Sequence, residues 1–370
     1  MMKKTRILFF TPSFSRGGSE MYLYYLLKNL DSNKFEIFLY SDSNGELTNE
    51  QFDFPLIANI KNSSFLSITW RKLIRKFFNY NSTNSKIKKI HKDFNPDLWY
   101  INTSVLPNIA QLAQELRVPY MVHFHELESV HDSIIGDLFI DMIQKAEAIV
   151  ACSTPVKKML NRIRRKNIVV QYEHVDLYPN KLGEQTDIRT KYNIPNEAFV
   201  WVMSGQKNYR KGYDMIPEIV TFLKNTNSFL IWLGGSRNYG INKLVDAGNY
   251  PNLIEPGLLR NLEYQAVLET ANAFVLTARE DPFPLVMIEA ASKGLPIISF
   301  NSGGVSEFVE EGMGKVINSC NVNDLCNTMQ ELMDGKIYIN QNKSIEKAKR
   351  FDIKVKVKEW EKLLEKIIYE

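Results

Sequence analysis

Cysteine and histidine are scarce in this chain of 370 residues, which holds three of the first and five of the second. Cys152, Cys320 and Cys326 are odd in number and lack paired metal-ligand spacing. That count fits a reducing compartment with no disulfide framework. No run of 18 or more apolar residues occurs, so no membrane-spanning helix is expected. A D-x-D sequence is absent, and so is the G-x-G-x-x-G fingerprint of dinucleotide sites. The opening MMKKTRILFFTPSFSRGG is basic and then apolar, without a small-residue cleavage pattern, and reads as a first strand rather than a signal peptide. The net charge of +4 is mild and does not by itself imply nucleic acid. With 44% hydrophobic and 24% charged residues, the composition is that of an ordinary soluble globular protein.

The length exceeds one ordinary core and suggests two domains of similar size. Short apolar runs alternate with amphipathic stretches almost throughout. In the first half the strand candidates are 6–13, 36–42, 97–104, 119–126, 146–154 and 167–175; in the second they are 199–205, 229–235, 252–257, 273–279, 296–304 and 314–319. Between most of them lie helical patterns such as LPNIAQLAQEL (106–116) and LEYQAVLETA (262–271). This alternation predicts α/β domains with parallel sheets covered by helices on both faces. The polar stretch 176–197 reads as the connection between two such series. In the last stretch, 350–370, Trp360, Leu363, Leu364 and Ile367 recur at helical spacing. Spacing alone leaves open whether that helix packs on the second domain or crosses back to the first.

Open parallel sheets bind ligands outside the carboxyl ends of their strands, so informative residues should follow strands. After the strand AFVLTAR comes REDPFPLVMIEAASKG (279–294). Pro284 can sit in a first helical turn, and Gly294 with Pro296 marks the stop. A purely structural account would make Asp281 a helix cap and pair Glu289 with Lys293 at i,i+4. Yet Leu285, Val286, Met287, Ile288, Ala290 and Ala291 make the helix apolar nearly all round. A carboxylate on a buried helix needs a partner, and the hydroxyl groups of a sugar or ribose are suitable donors. The free N–H groups at the helix start suit a phosphate.

Asp281, seven residues and Glu289, entering a helix from a strand, resemble the signature of retaining glycosyltransferases of the GT-B fold, family 4. The usual first residue is Glu, so Asp281 departs from it, and adjacent Glu280 offers an alternative acid. The following 294–317, with Gly303, Gly304 and Glu307, is similar to the family's next block. FVWVMSGQKNYRKGYDMI (199–216) aligns Gly205, Lys211 and Gly212 with the family pattern, while Gln206 stands where an Arg is usual. TPSFSRGGSE places Gly17, Gly18 and Glu20 after the first strand, where glycines admit a phosphate to the backbone. VHFHELE places His125, followed by Glu126, at the family's position facing the transferred sugar. His123 and His125 lie on one face of that strand; with no third ligand at useful spacing, no metal site is expected.

What the resemblance implies is specific. The fold is two Rossmann-like domains facing across a cleft: 1–178 binding the acceptor, 179–349 binding the nucleotide-sugar, with 350–370 crossing back to the first. The reaction moves a hexose from a nucleotide diphosphate sugar to a hydroxyl acceptor with retention of configuration. His125, Asp281, Glu289 and Lys211 carry it. Lys211, with Arg210 in place of the missing arginine, holds the diphosphate; the N–H groups around Leu285 and Val286 assist. Asp281 and the turn through Phe283 and Pro284 hold sugar hydroxyls, and Glu289 holds the ribose. Gly17, Gly18 and Gly205 allow close approach. No cofactor and no metal are required. The alternatives are a nucleotide-sugar epimerase on the same fold and a non-catalytic glycan-binding or scaffold member.

One feature is independent of the family. Residues 54–92 contain no Asp or Glu, yet 61–92 carry nine Lys or Arg interleaved with aromatic and aliphatic residues, among them Trp70, Phe77 and Phe78. That suits an anionic membrane surface. Nucleic acid is the rival, but no nucleic-acid motif accompanies the segment. The expected location is cytoplasmic, peripheral on the inner face of the membrane; the structural alternative is a basic loop and helix covering the first sheet.

Overall fold

Apolar runs separated by ten or more intervening residues leave room for the crossover that a parallel pair requires. The computed structural model, which describes residues 4–59, 82–128, 136–178, 186–235, 245, 250–259 and 261–369, shows two sheets built this way. The first contains β1 (Thr5–Thr11), β2 (Phe35–Ser41), β3 (Leu56–Ala58), β4 (Leu98–Ile101), β5 (Tyr120–Phe124), β6 (Ala148–Ala151) and β7 (Ile168–Val170). Their order is β3-β2-β1-β4-β5-β6-β7, with parallel registers throughout. The second contains β8 (Phe199–Ser204), β9 (Ser228–Leu233), β10 (Leu253–Gly257), β11 (Ala273–Leu276), β12 (Ile297–Phe300) and β13 (Gly314–Ile317), ordered β10-β9-β8-β11-β12-β13 and again parallel. β4, β5, β6, β11 and β12 are buried along their whole length, as strands covered on both faces must be.

In each sheet the first strand lies inside, with its successor on one side and a later strand on the other. The chain therefore reverses direction across the sheet between β1 and β4, and again between β8 and β11. Such switch points leave a crevice at the carboxyl ends of the strands, where ligands of open α/β sheets bind. The glycine pair after β1, the basic turn after β8 and the Asp281 turn after β11 all fall at these places.

The chain divides into two compact units. Unit 1 comprises Met1–Cys152, Val156–Gln171 and Val357–Glu370; unit 2 comprises Ser153–Pro155 and Tyr172–Lys356. The described residues of 176–197 fall within unit 2. Their weak periodicity conceals a short helix, Ile188–Lys191, capped by Asp187, with Ile188 and Ile194 buried. The C-terminal helix, Ile353–Tyr369, places its last thirteen residues in unit 1. Trp360 is fully buried there against Tyr22, Tyr100 and His123, at ring separations of 6.0, 5.9 and 5.3 Å. Glu361 accepts from the Asp31 N–H (3.0 Å), and Tyr369 shares a hydrogen bond with Thr5 (2.7 Å). Among the described residues no helix is long and apolar enough to cross a membrane.

Candidate active site

In unit 2 the site starts with a backbone constraint. Gly212 adopts φ +75°, and a Cβ there would lie 2.2 Å from the Thr277 carbonyl oxygen. Only glycine lets the turn after β8 press this closely on the end of β11. Lys211 beside it is held at both peptide groups: its N–H donates to Asn208 Oδ1 (2.9 Å), and its carbonyl accepts from the Thr277 hydroxyl (2.6 Å). The side chain is thereby aimed at Asp281, and Lys211 Nζ and Asp281 Oδ2 form an ion pair. Asp281 is only 6% exposed. Its own N–H donates to the Ser302 carbonyl (2.8 Å), and its carbonyl accepts from Gly304 N (3.3 Å). Gly304 has no room for a side chain, since a Cβ would meet the Pro282 carbonyl at 2.3 Å. The three loops after β8, β11 and β12 are thus joined at one point.

The helix that follows spans Leu285–Ser292. Pro284 is its N-cap, one position before the expected first turn, and no side chain caps it. Asp281 is therefore not a cap; it is committed to Lys211. The N–H groups of the first helical residues, Leu285 and Val286, have no acceptor within the helix by construction and carry its positive dipole end. Glu289 does not pair with Lys293, which reaches Glu269 instead (2.7 Å). Glu289 Oε2 accepts from the Tyr264 hydroxyl (2.5 Å). Surrounding groups crowd this carboxyl although an edge stays accessible, and burial pushes its pKa up, the Tyr264 bond opposing that shift. Phe283, expected on the donor, turns its side chain into the core, stacked on Phe351 at 5.7 Å and beside Tyr172 at 5.2 Å.

Arg210 donates to the Glu280 carbonyl (3.1 Å), which fixes its guanidinium near the same turn. Gln206 is exposed, and its side-chain oxygen accepts from Asn208 (3.5 Å). Arg279 makes two 2.7 Å bonds to Asp214 and lies 3.8 Å over the Tyr209 ring. Sequence spacing does not announce this clamp, although Arg279 at a strand end and Asp214 after the Lys-Gly turn are both visible there. Gly205, whose carbonyl accepts from Trp232 Nε1 (3.0 Å), follows β8 directly.

In unit 1, Gly17 is the N-cap of helix Gly18–Asn29, with no side-chain cap. Glu20, in the first turn, accepts from the hydroxyls of Ser13 (2.8 Å) and Ser19 (3.0 Å). The ends of β4 and β5 supply the rest. His125 Nε2 lies 3.2 Å from Asn102 Oδ1, and Asn102 in turn donates to the Ser19 carbonyl (3.0 Å). Glu126 accepts from the Thr103 hydroxyl, the Ser104 N–H (3.2 Å) and the His125 N–H (3.1 Å). His123 is fully buried and shares a hydrogen bond with the Tyr100 hydroxyl (2.8 Å), its ring 3.9 Å from that of His125. Asn102 and Thr103 escape the sequence reading; polar residues closing an apolar strand are the only signal they give.

Most of the basic segment, including Lys61, Trp70, Arg71, Lys72, Arg75, Lys76, Phe77 and Phe78, lies outside the described residues. Its end forms the helix Ser82–Phe94, which buries Ile87 and Ile90 and exposes Lys86, Lys88, Lys89 and Lys92. Lys88 pairs with Glu115 (3.5 Å) and Lys89 with Asp93 (2.5 Å), acids outside the acid-free window that offset part of its charge.

Two Rossmann-like domains, each carrying glycine-bearing turns at its switch point, define the GT-B architecture. Solved structures share it: HepE of Anabaena in complex with UDP and glucose (TM-score 0.79, 19% identical, covering 98% of this chain and 100% of that one) and a sucrose-phosphate synthase of Thermosynechococcus elongatus (0.77, 16%, 98% and 99%). The family model for glycosyl transferases group 1 matches residues 184–351, and that for glycosyltransferase family 4 matches 16–178. The chain belongs to the group 1 glycosyl transferases. Among curated relatives, glycogen synthase of Mycobacterium tuberculosis is 41% identical over 268 residues, 65% of this chain and 60% of that protein. An alpha-galactosylglucosyldiacylglycerol synthase of Streptococcus pneumoniae is 28% identical over 127 residues, 33% of each. The chain therefore spans only a third to three fifths of the length of these relatives.

Proposed function

We propose that the protein transfers a hexose from a nucleotide diphosphate sugar to a hydroxyl acceptor with retention of configuration. The observation that carries this reading is the convergence, at the carboxyl ends of β8 and β11, of Lys211, Arg210, Asp281 and an uncapped helix N-terminus, with Glu289 in the same helix. Cations and a helix start suit a departing diphosphate, and two carboxylates suit hydroxyl donors on either side of it. The bond between the sugar's anomeric carbon and the diphosphate oxygen breaks as negative charge grows on that oxygen. Lys211, Arg210 and the N–H groups of Leu285 and Val286 stabilise that charge. The acceptor oxygen bonds to the anomeric carbon on the same face, and its proton passes to the departing diphosphate. In this reading Glu289 holds the ribose and Asp281 a sugar hydroxyl, and the family resemblance assigns His125 to the transferred sugar. The complex of HepE with UDP and glucose, and the sugar chemistry named for the relatives, support this class of donor.

A thermal-shift panel of UDP-, GDP-, ADP- and dTDP-sugars tests the reading. The correct donor should raise the melting temperature through mass action, by about 2.7 kcal/mol of stabilisation at a hundredfold excess over Kd. Silence across all four, together with no transfer to any hydroxyl acceptor, overturns it. Release of a free epimerised nucleotide-sugar would instead identify an epimerase.

We further propose peripheral contact with an anionic membrane surface through 61–92, a location suited to a lipid-linked acceptor. Each basic residue near such a surface adds about 1 kcal/mol, screened by salt. Replacing Arg71, Lys72, Arg75 and Lys76 together with Gln should abolish most co-sedimentation with phosphatidylserine vesicles and leave nucleotide affinity intact. Sedimentation equal to the wild type would show that the segment is a solvated structural face.

A further inference from the structure

Helix Asn261–Thr270 and helix Leu285–Ser292 are tied at two points in unit 2, by Tyr264 to Glu289 (2.5 Å) and by Glu269 to Lys293 (2.7 Å). The second tie joins charges near the surface. The first is different in kind: it brings a phenol to a crowded carboxylate on a helix whose other side chains are almost all apolar. A phenol donates one hydrogen bond, and an ionised carboxylate can only accept. The bond therefore favours the ionised Glu289 against the burial that opposes it, and it occupies Oε2. Oε1 is left to accept from whatever reaches the accessible edge.

We propose that Tyr264 is a positioning residue that fixes which oxygen of Glu289 meets the donor's ribose, and so sets the preference for ribose over 2′-deoxyribose. This rests on the assignment of Glu289 to the ribose under the proposed function. A carboxylate locked at one oxygen presents acceptor lone pairs to a vicinal diol in one orientation. Released from Tyr264, the same carboxyl rotates or takes up a proton, and a protonated oxygen would face the diol with a donor. Tyr264 touches no donor atom in this scheme and acts only through Glu289.

Calorimetry with UDP, GDP and ADP, each beside its 2′-deoxy counterpart, tests this on the full chain. The wild type should favour the ribose form of its preferred nucleotide by roughly tenfold or more, the scale of one hydrogen bond to a charged group. Tyr264→Phe keeps the ring and the packing; it should cut that ratio by at least half its logarithm while altering the 2′-deoxy affinity less than twofold. In the Glu289→Gln background, Tyr264→Phe should change the ratio no further. A Tyr264→Phe protein with the wild-type ratio, while Glu289→Gln loses it, overturns the proposal and leaves the ribose assignment standing. If Glu289→Gln also keeps the ratio, or no nucleotide binds, the ribose assignment fails and this proposal fails with it. A purely packing role for Tyr264 would lower both affinities together and leave the ratio where it was.

Discussion

Lys211→Ala should weaken binding of a nucleoside diphosphate or nucleotide-sugar by about 10- to 100-fold, the loss of one charge-assisted bond of roughly 1.5–3 kcal/mol. A nucleoside monophosphate should lose less. Because Lys211 also neutralises Asp281, a second effect follows that a surface lysine would not have. Asp281 is 6% exposed, and with alanine at 211 its carboxylate stays in place without a cation. Removing one partner of a buried pair costs about 3–5 kcal/mol, and the 15% exposure of the lysine side chain argues for the lower end. Adding Asp281→Asn should restore most of the stability and none of the diphosphate affinity. Asp281→Asn alone should tighten free diphosphate binding several-fold, because Lys211 is released from its partner, while transfer falls for want of a carboxylate. Calorimetry and denaturant melts on the four proteins separate these effects. Equal, small losses for mono- and diphosphate would reduce Lys211 to a structural ion pair.

Gly212→Ala carries the other large expected effect. A left-handed backbone costs a residue with a Cβ about 1–2 kcal/mol, and forced overpacking adds roughly 1–3 kcal/mol. The clash at 2.2 Å is with the Thr277 backbone, which cannot swing aside as a side chain can. About 3 kcal/mol on a unit of this size corresponds to a fall in Tm of roughly 6–12 °C. Since the turn aims Lys211, nucleotide affinity should fall with it. Gly205→Ala is the control: its Cβ would meet only the Met203 methyl at 3.4 Å and Lys211 Cδ at 3.5 Å, ordinary contact distances. Matching melting temperatures for the two variants would contradict the packing of the turn against β11.

Of the thirteen strands among the described residues, twelve coincide, to within one residue at their starts, with stretches that the apolar pattern marks, because buried parallel strands leave continuous apolar runs that polar connections interrupt. The exception, β3, is three half-buried residues at a sheet edge inside the acid-free segment, too short for any period to register. The positions of Lys211, Asp281 and His125 near strand ends, and of Glu289 in the helix that follows β11, can be read from order alone. Their partners cannot. Lys211 and Asp281 are 70 residues apart, Tyr264 and Glu289 25 apart, and where the motif suggests a ligand for each the fold also supplies a side chain. Local spacing also favours Lys293 for Glu289, whereas Glu269 of a neighbouring helix takes that lysine. Phe283 shows the converse: its place in the motif suggests the donor, but an aromatic ring on a turn against Phe351 gains more from burial.

The placement of Trp360 has a consequence for synthesis. Protein is made from the N-terminus, at about 5–20 residues per second, and domains commonly fold as they emerge. Here the first unit to appear cannot finish its interior, because the indole that fills the space beside Tyr22, Tyr100 and His123 is encoded after the whole of unit 2. For the time needed to translate residues 172–356, a nascent unit 1 carries an open socket lined by aromatic rings. Such a chain is a natural client for chaperones that recognise exposed apolar surface, and a ribosome stalled anywhere within unit 2 would leave a product with that socket unfilled.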